Sequence, residues 1–190
     1  MLLALLLQAA YYLTMVKIGS WLSPQQFIQG GSDALITAFS TASSTVTMPI
    51  TFESLQKMGL RESSASLGAL VGSNFNNDGT ALYEAMSALF ISQVLGQNLT
   101  LPQQFIVMLT SIVASVGAAG IPEAGLVTMT LVFSSVGLPT EYIAILITVD
   151  WFLDRCRTAI NVMGDMTVSA VIDGKHRQAQ DVIAAENKQF

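Results

Sequence analysis

The chain opens on an apolar run, MLLALLLQAAYYLTMVKIG, and then alternates apolar stretches with polar interruptions placed inside the apolar blocks. Residues 1–18 predict a membrane-spanning helix ending at Lys17. The run has no basic lead-in and no small-residue cleavage site, so it does not read as a signal peptide. Residues 20–33 read as a polar connector. In Ala34–Phe52, two short apolar pieces flank a Ser/Thr cluster and Pro49, a residue that an α-helix does not pass unbroken. Residues 34–52 therefore predict a hairpin that enters and leaves on one side, with its tip near Pro49. A charged loop is expected over Glu53–Glu62. Residues 63–96 form a long, weakly apolar helix broken at Gly72-Ser73-Asn74-Phe75-Asn76-Asn77-Asp78-Gly79. After an uncharged loop at 97–103, a second hairpin spans 104–138, its arms on either side of Gly117–Pro122. The last helix covers 142–172, and a polar tail, 173–190, lies outside the membrane.

This order contains a repeat. Each half has a hairpin with a proline near its tip (Pro49, Pro122), followed by a helix carrying Asn and Asp at membrane depth (Asn76 and Asp78; Asn161 and Asp165). Interrupted apolar segments in matching positions of two halves point to the binding site of a secondary transporter. Unwound backbone at that depth survives only where it is buried or lines a cavity. The predicted class is an all-α membrane protein: transmembrane helices plus two re-entrant helical hairpins, in an inverted repeat with broken helices. Residues 1–33 are a span and its connector, and residues 34–172 are the moving core. With both hairpins re-entrant, Lys17, Lys57, Arg61 and the tail (Lys175, Arg177, Lys188) fall on one side. Loops 97–103 and 134–141 fall on the other and carry no Lys or Arg. That asymmetry predicts a multi-pass protein of the plasma or inner membrane with a cytoplasmic C-terminus.

Composition supports the membrane class. Only 11% of residues are charged and the mean hydropathy is +0.55, against roughly 25% charged in a soluble domain. A net charge of −5 and no basic patch argue against nucleic acid. The single cysteine, Cys156, permits no internal disulfide and no cysteine-based metal cluster. The one histidine, His176, lies in the tail, so no nucleophile–base set is present and the chain does not read as an enzyme.

Charge concentrates in Asp150–Asp165, DWFLDRCRTAINVMGD. At helical spacing Asp154, Arg157, Thr158, Asn161 and Asp165 share one face. Ionisable groups inside a membrane helix mark a functional path by default; the competing role for Arg157 is a structural ion pair with Asp154 or Asp150.

Three stretches, Asn76–Glu84 (NNDGTALYE), Gly120–Gly125 (GIPEAG) and Asp150–Asp165, resemble the glutamate/aspartate transporter family, the dicarboxylate/amino acid:cation symporters that include the excitatory amino acid transporters. The resemblance runs over residues 1–172 and corresponds to the C-terminal half of a family member. It implies a sodium-coupled symporter of acidic amino acids working by alternating access, with the hairpin tips as gates. It also implies a homotrimer, although the family's trimerisation spans, and a span that helps complete one sodium site, have no counterpart here. Alternatives are a C4-dicarboxylate or neutral amino acid symporter of the same family, and a non-transporting fragment or split-gene half that needs the missing scaffold.

An acidic amino acid has one ammonium and two carboxylates. Arg157 offers a planar fork for the side-chain carboxylate, and Asp154, one turn earlier, faces the ammonium. Thr158 and Asn161 continue the face as neutral hydrogen-bonding groups. Ser43, Ser44 and Thr45 at the first tip, with backbone amides around Gly120, Ile121 and Pro122 at the second, suit the backbone carboxylate. The resemblance adds Thr80 and Gly125 to the substrate site. For sodium, Asp78 and Asp165 with carbonyls near Gly72, Asn76 and Asn161 supply hard oxygen ligands, and the family places sodium sites at matching positions. A further one is implied by Asn74, Ser115, Val116 and Ala118. Two residues depart from the family pattern: Asn77 replaces a methionine, and Thr45 a serine. Glu84 and Arg155 match residues of proton-coupled members, which implies proton co-transport, with potassium counter-transport as a further expectation. A Glu84–Arg155 ion pair is the competing structural role. Sodium ions are expected as cargo, with no resident cofactor.

Overall fold

A computed structural model describes residues 1–118 and 120–175; the tail expected over 173–190, with His176, Arg177 and Lys188, lies largely outside the described residues. The described residues form helices and turns, without strands. α1 (Leu2–Gly19) is the one helix among them long and apolar enough to cross a membrane, and Leu3, Leu6, Leu7 and Tyr11 point outward from it.

α2 (Pro24–Thr41) and α3 (Ser44–Lys57) form the first helical hairpin. It is longer than the polarity of the sequence suggests. The stretch expected as a connector is helical from Pro24, because Ser23 and Gln26 cap each other reciprocally and Pro24 pre-sets the first turn. The charged loop expected at Glu53–Glu62 is helical as far as Lys57. The tip lies at Ala42–Ser43, at the start of the Ser/Thr cluster, where Ala42 adopts a left-handed conformation (φ 51°) and the Ser43 side chain caps the Val46 amide. Pro49 lies inside α3, where its missing N–H leaves the Thr45 carbonyl without its helical donor.

The broken helix has α4 (Glu62–Ser66), a π-helical segment (Leu67–Gly72), α5 (Ser73–Phe75), and α6 (Asp78–Val94). The ladder opens at Asn76 and Asn77, whose backbones are non-helical. The second hairpin pairs α7 (Leu101–Gly117) with α8 (Ala124–Ser135). It starts three residues earlier than expected, at a second Thr/Gln cap: the Thr100 amide donates to Gln103 Oε1 at 2.9 Å. A short 3₁₀ turn (Thr140–Tyr142) leads into α9 (Ile143–Asp173), which runs unbroken for 31 residues.

α9 is the axis of the fold. Its first turns, through Ile143 and Leu146, join an apolar cluster with α6, α7 and α8. Its last turns, through Val162, Met163, Met166 and Ala170, join another with α1, α2 and the π-helical segment. The polar stripe lies between them. Its residues are inside: Asp150, Asp154, Arg157, Thr158, Asn161 and Asp165 are all buried, whereas Trp151 and Phe152 are exposed. Phe105, Leu109, Val113, Val127 and Leu131 of the second hairpin also face outward. Buried charge beneath an apolar exterior is the reverse of a soluble domain and fits a lipid surround.

The end of α9 is clasped by the two connectors beside it. Asp173 accepts from Trp21 Nε1 (2.8 Å), and from the Arg61 amide (3.1 Å) and Nε (3.0 Å). Burial pushes the Asp173 carboxyl up, but these donors outweigh it and hold the group below the usual carboxylate range. The folded carboxyl is thus the stronger acid. Its stabilisation is complete above the unfolded pKa of about 3.9 and is lost as pH falls through the lower folded value. Asp173→Asn is expected to cost about 1.5–3 kcal/mol at neutral pH, the loss of hydrogen bonds to a charged group. Denaturation of the two proteins should show that difference shrinking below about pH 4; a gap that widens on acidification would contradict the assignment.

Candidate functional site

The hairpin tips, the break between α5 and α6, and the middle of α9 converge. Arg157 is the largest fully buried side chain, 1% exposed. One terminal nitrogen donates to Asp150 Oδ1 at 2.7 Å. The other, Nη2, forms an ion pair with Asp154 Oδ1 at 3.0 Å. The guanidinium also stacks on Tyr83, 4.2 Å from the ring centroid. The second Asp154 oxygen accepts the Glu123 amide at 2.9 Å. Glu123 takes a left-handed backbone (φ 64°) that starts α8. The second tip is thereby fastened to α9.

The two tips also meet each other. Ser43 Oγ donates to the Gly120 carbonyl at 2.6 Å, and the Thr45 amide donates to the same oxygen at 3.2 Å. Beneath this contact Ala42, Ser44, Asn77, Thr80, Gly120 and Ile121 line a small cavity, and Gly125, Asp154, Arg157, Thr158 and Asn161 line it as well. The space is about 20 Å³, room for one or two waters. It is a closed arrangement. Ser43 takes part through the tip contact, and Pro122 is exposed on the tip's outer side rather than part of the lining.

A second cluster surrounds Asp165, 1% exposed. Asn76 Nδ2 donates to Asp165 Oδ1 (3.1 Å) and to the Asn161 carbonyl (3.2 Å). Gly72 packs so closely that a Cβ there would stand 2.7 Å from Asp165 Oδ1. Gly72, Asn76, Asn161 and Asp165 are thus gathered as the sequence suggests. Asp78 is turned toward α1, accepting from Tyr12 Oη (2.7 Å) and Gln8 Nε2 (2.9 Å). No side-chain cap holds the start of α6. Instead Asn161 Oδ1 accepts the Gly79 amide at 2.7 Å, so α9 caps α6 across the break. Ser115 and Asn74 meet at Asn77: its Nδ2 donates to both carbonyls, at 3.0 and 3.3 Å. Ala118 is buried beside them, and Val116 faces outward.

The Glu84–Arg155 ion pair, the competing structural role, is not formed. Glu84 is fully buried and accepts from Thr128 Oγ1, while its second oxygen has no hydrogen-bond partner. Arg155 donates to the Ser40 carbonyl at 3.3 Å and lies over the Trp151 ring. The two residues lie on different faces of their helices and find different neighbours. The ion pairs of Arg157 with Asp150 and Asp154, the competing structural role expected from the stripe, are both formed. Tyr83, Glu123 and Thr128 were not singled out from the sequence.

The model of the sodium:dicarboxylate symporter family matches residues 1–175. The chain belongs to that family. Similar proteins include excitatory amino acid transporter 4 of Mus musculus, 50% identical over 165 residues, which is 86% of this chain and 29% of that protein. Excitatory amino acid transporter 1 of Homo sapiens is 49% identical over 152 residues, 80% of this chain and 28% of the relative. A Caenorhabditis elegans excitatory amino acid transporter is 46% identical over 151 residues, 79% and 30% of the two lengths. The matched part of the chain therefore spans less than a third of the length of these relatives.

Proposed function

We propose that this chain is the substrate-carrying part of a sodium-coupled symporter of acidic amino acids. One observation carries the reading: a buried arginine ion-paired to Asp150 and Asp154, lining a cavity under two touching hairpin tips. The Nη2 edge suits a side-chain carboxylate, Asp154 the ammonium, and Thr158 and Asn161 the remaining polar atoms. When substrate enters, Asp154 exchanges the Glu123 amide for the ammonium, which links occupancy to release of the second tip.

Charge balance supports coupling to cations. Asp150 and Asp154 against Arg157 leave one net negative charge, and an acidic amino acid adds another. Two buried negative charges are costly in a low-dielectric site unless cations enter with them. The cluster of Gly72, Asn76, Asn161 and Asp165 is the reading's principal sodium site. Asp78 stands apart on the α1 side and contributes through Tyr12 and Gln8. The re-entrant entry of both hairpins, the cytoplasmic C-terminus, and motion of residues 34–172 belong to the same proposal, supported by the uneven distribution of Lys17, Lys57, Arg61 and Lys175.

Competition separates substrate classes. Labelled aspartate bound by the chain in lipid nanodiscs should be displaced by glutamate, and far more weakly by serine, which has no second carboxylate, or succinate, which has no ammonium. Displacement by succinate as good as by aspartate would favour the plain dicarboxylate alternative.

Glu84 is the proton carrier in this reading, because its second oxygen has no hydrogen-bond partner and no cation among the described residues pairs with it. Glu84→Gln should bind aspartate yet show flattened pH dependence of uptake between mildly acidic and mildly alkaline conditions. A wild-type pH profile in that variant would remove Glu84 from the coupling.

A further inference from the structure

Asn77 is the one residue of the NNDGT stretch at odds with the family pattern, and its side chain has a role that neither substrate binding nor helix capping explains. Its orientation is determined by a chain of bonds that begins at an unambiguous donor. The Gly79 backbone N–H donates to Asn161 at 2.7 Å, so the atom receiving it is Asn161 Oδ1. Asn161 Nδ2 therefore points the other way, donating to Thr80 Oγ1 at 3.1 Å and to Asn77 Oδ1 at 3.2 Å. That leaves Asn77 Nδ2 aimed at two main-chain carbonyls, Asn74 at 3.3 Å and Ser115 at 3.0 Å. A flip of either amide would set oxygen against oxygen.

Those two carbonyls come from different elements, the frayed end of α5 and the last turn of α7. Converging carbonyls at such ends are cation ligands unless a donor satisfies them. Here one does. The Ser115 oxygen also accepts the Ala118 amide at 3.2 Å, so both of its lone pairs are taken. Asn77 is itself buried, 5% exposed, and the Asn74 side chain is directed back to the Leu70 carbonyl.

We infer that the Asn77 carboxamide takes the place of a cation between α5 and the second hairpin, so that this chain closes the hairpin with one fewer sodium ion than the Asn74, Ser115 and Ala118 positions would otherwise bind. The amide carries the partial positive charge that the carbonyls need, and its other end reports to Asn161, which lines the substrate cavity. A tethered donor is always present, so this part of the closure does not depend on the sodium concentration. The inference deepens the sodium-coupled reading and rests on it.

Thermal unfolding in nanodiscs tests it, with sodium chloride exchanged for choline chloride at constant ionic strength. An ion that binds only the folded state stabilises it by RT ln(1 + c/Kd), where c is the ion concentration, and raises the Tm accordingly. Asn77→Met removes the donor at similar volume. It should at least double the sodium-dependent rise in Tm, and the added part should persist in an Asn77→Met/Asp165→Asn double variant. A rise equal to or smaller than that of wild type overturns the inference. Should Asn77→Met fold poorly, the Asp165→Asn variant, in which the principal sodium site beside Asn161 is disabled, decides alone: its Asn77 side-chain amide NMR signals should not move when sodium replaces choline, and a shift overturns the proposal. A wild-type chain with no sodium-dependent rise at all contradicts the sodium-coupled reading instead, while the NMR signals and the Asn77→Met comparison still decide the role of Asn77.

Discussion

Replacing Arg157 with lysine is expected to abolish measurable aspartate binding while leaving the chain helical and folded. Lysine keeps the charge but not the fork. It cannot hold Asp150 with one nitrogen, stack its plane on Tyr83, and present the other nitrogen to a substrate carboxylate. Losing one partner of a buried, hydrogen-bonded charge pair costs about 2–5 kcal/mol, which is about 30- to several-thousand-fold in Kd. Arg157→Ala is the harsher change. It leaves Asp150 and Asp154 buried without their cation, and should destabilise the fold by about 3–5 kcal/mol. Titration of both variants with labelled aspartate, alongside their unfolding curves, separates the lost contact from the lost fold. Lysine binding aspartate as tightly as arginine would show that the guanidinium is structural only.

Asp165→Asn should raise the sodium concentration for half-maximal aspartate binding by at least about tenfold, equivalent to about 1.4 kcal/mol. The neutral amide keeps the volume between Gly72 and Asn76 but removes the formal charge facing the cation. Asp78→Asn is expected to have a smaller effect, because that carboxylate is already engaged by Tyr12 and Gln8. Sodium titrations of aspartate binding check the order. Equal effects of the two substitutions would mean that Asp78 is a direct ligand as well.

The helical architecture and the polar face of α9 were legible because both depend on spacing. Asp154, Arg157, Thr158, Asn161 and Asp165 fall on one stripe by helical geometry alone, and their burial follows once the other faces are apolar. The break near Asn76 was legible from a run of residues with poor helix propensity. Boundaries were less so. Polar content hid the helical start of α2, although the Ser23–Gln26 capping pattern was there to be read. The Ser/Thr cluster marked the first tip at Ser43–Thr45, whereas Pro49 suggested a break that does not occur, because its cost is local and α3 absorbs it. Contacts across the fold were out of reach. Nothing near Glu84 in sequence names Thr128, and nothing near Asp154 names the Glu123 amide, since both pairings depend on how the second hairpin docks on α6 and α9. The competing Glu84–Arg155 pair rested on charge alone, and their helices direct the two residues elsewhere.

The central claim is that the Arg157 cavity takes an acidic amino acid together with sodium. The most direct test is equilibrium binding of labelled aspartate to the chain in nanodiscs, measured in sodium chloride and in choline chloride at equal ionic strength. The account predicts saturable binding in sodium that weakens by at least about a hundredfold in choline, about 2.7 kcal/mol. Binding of equal strength in both salts, or none in either, would contradict it.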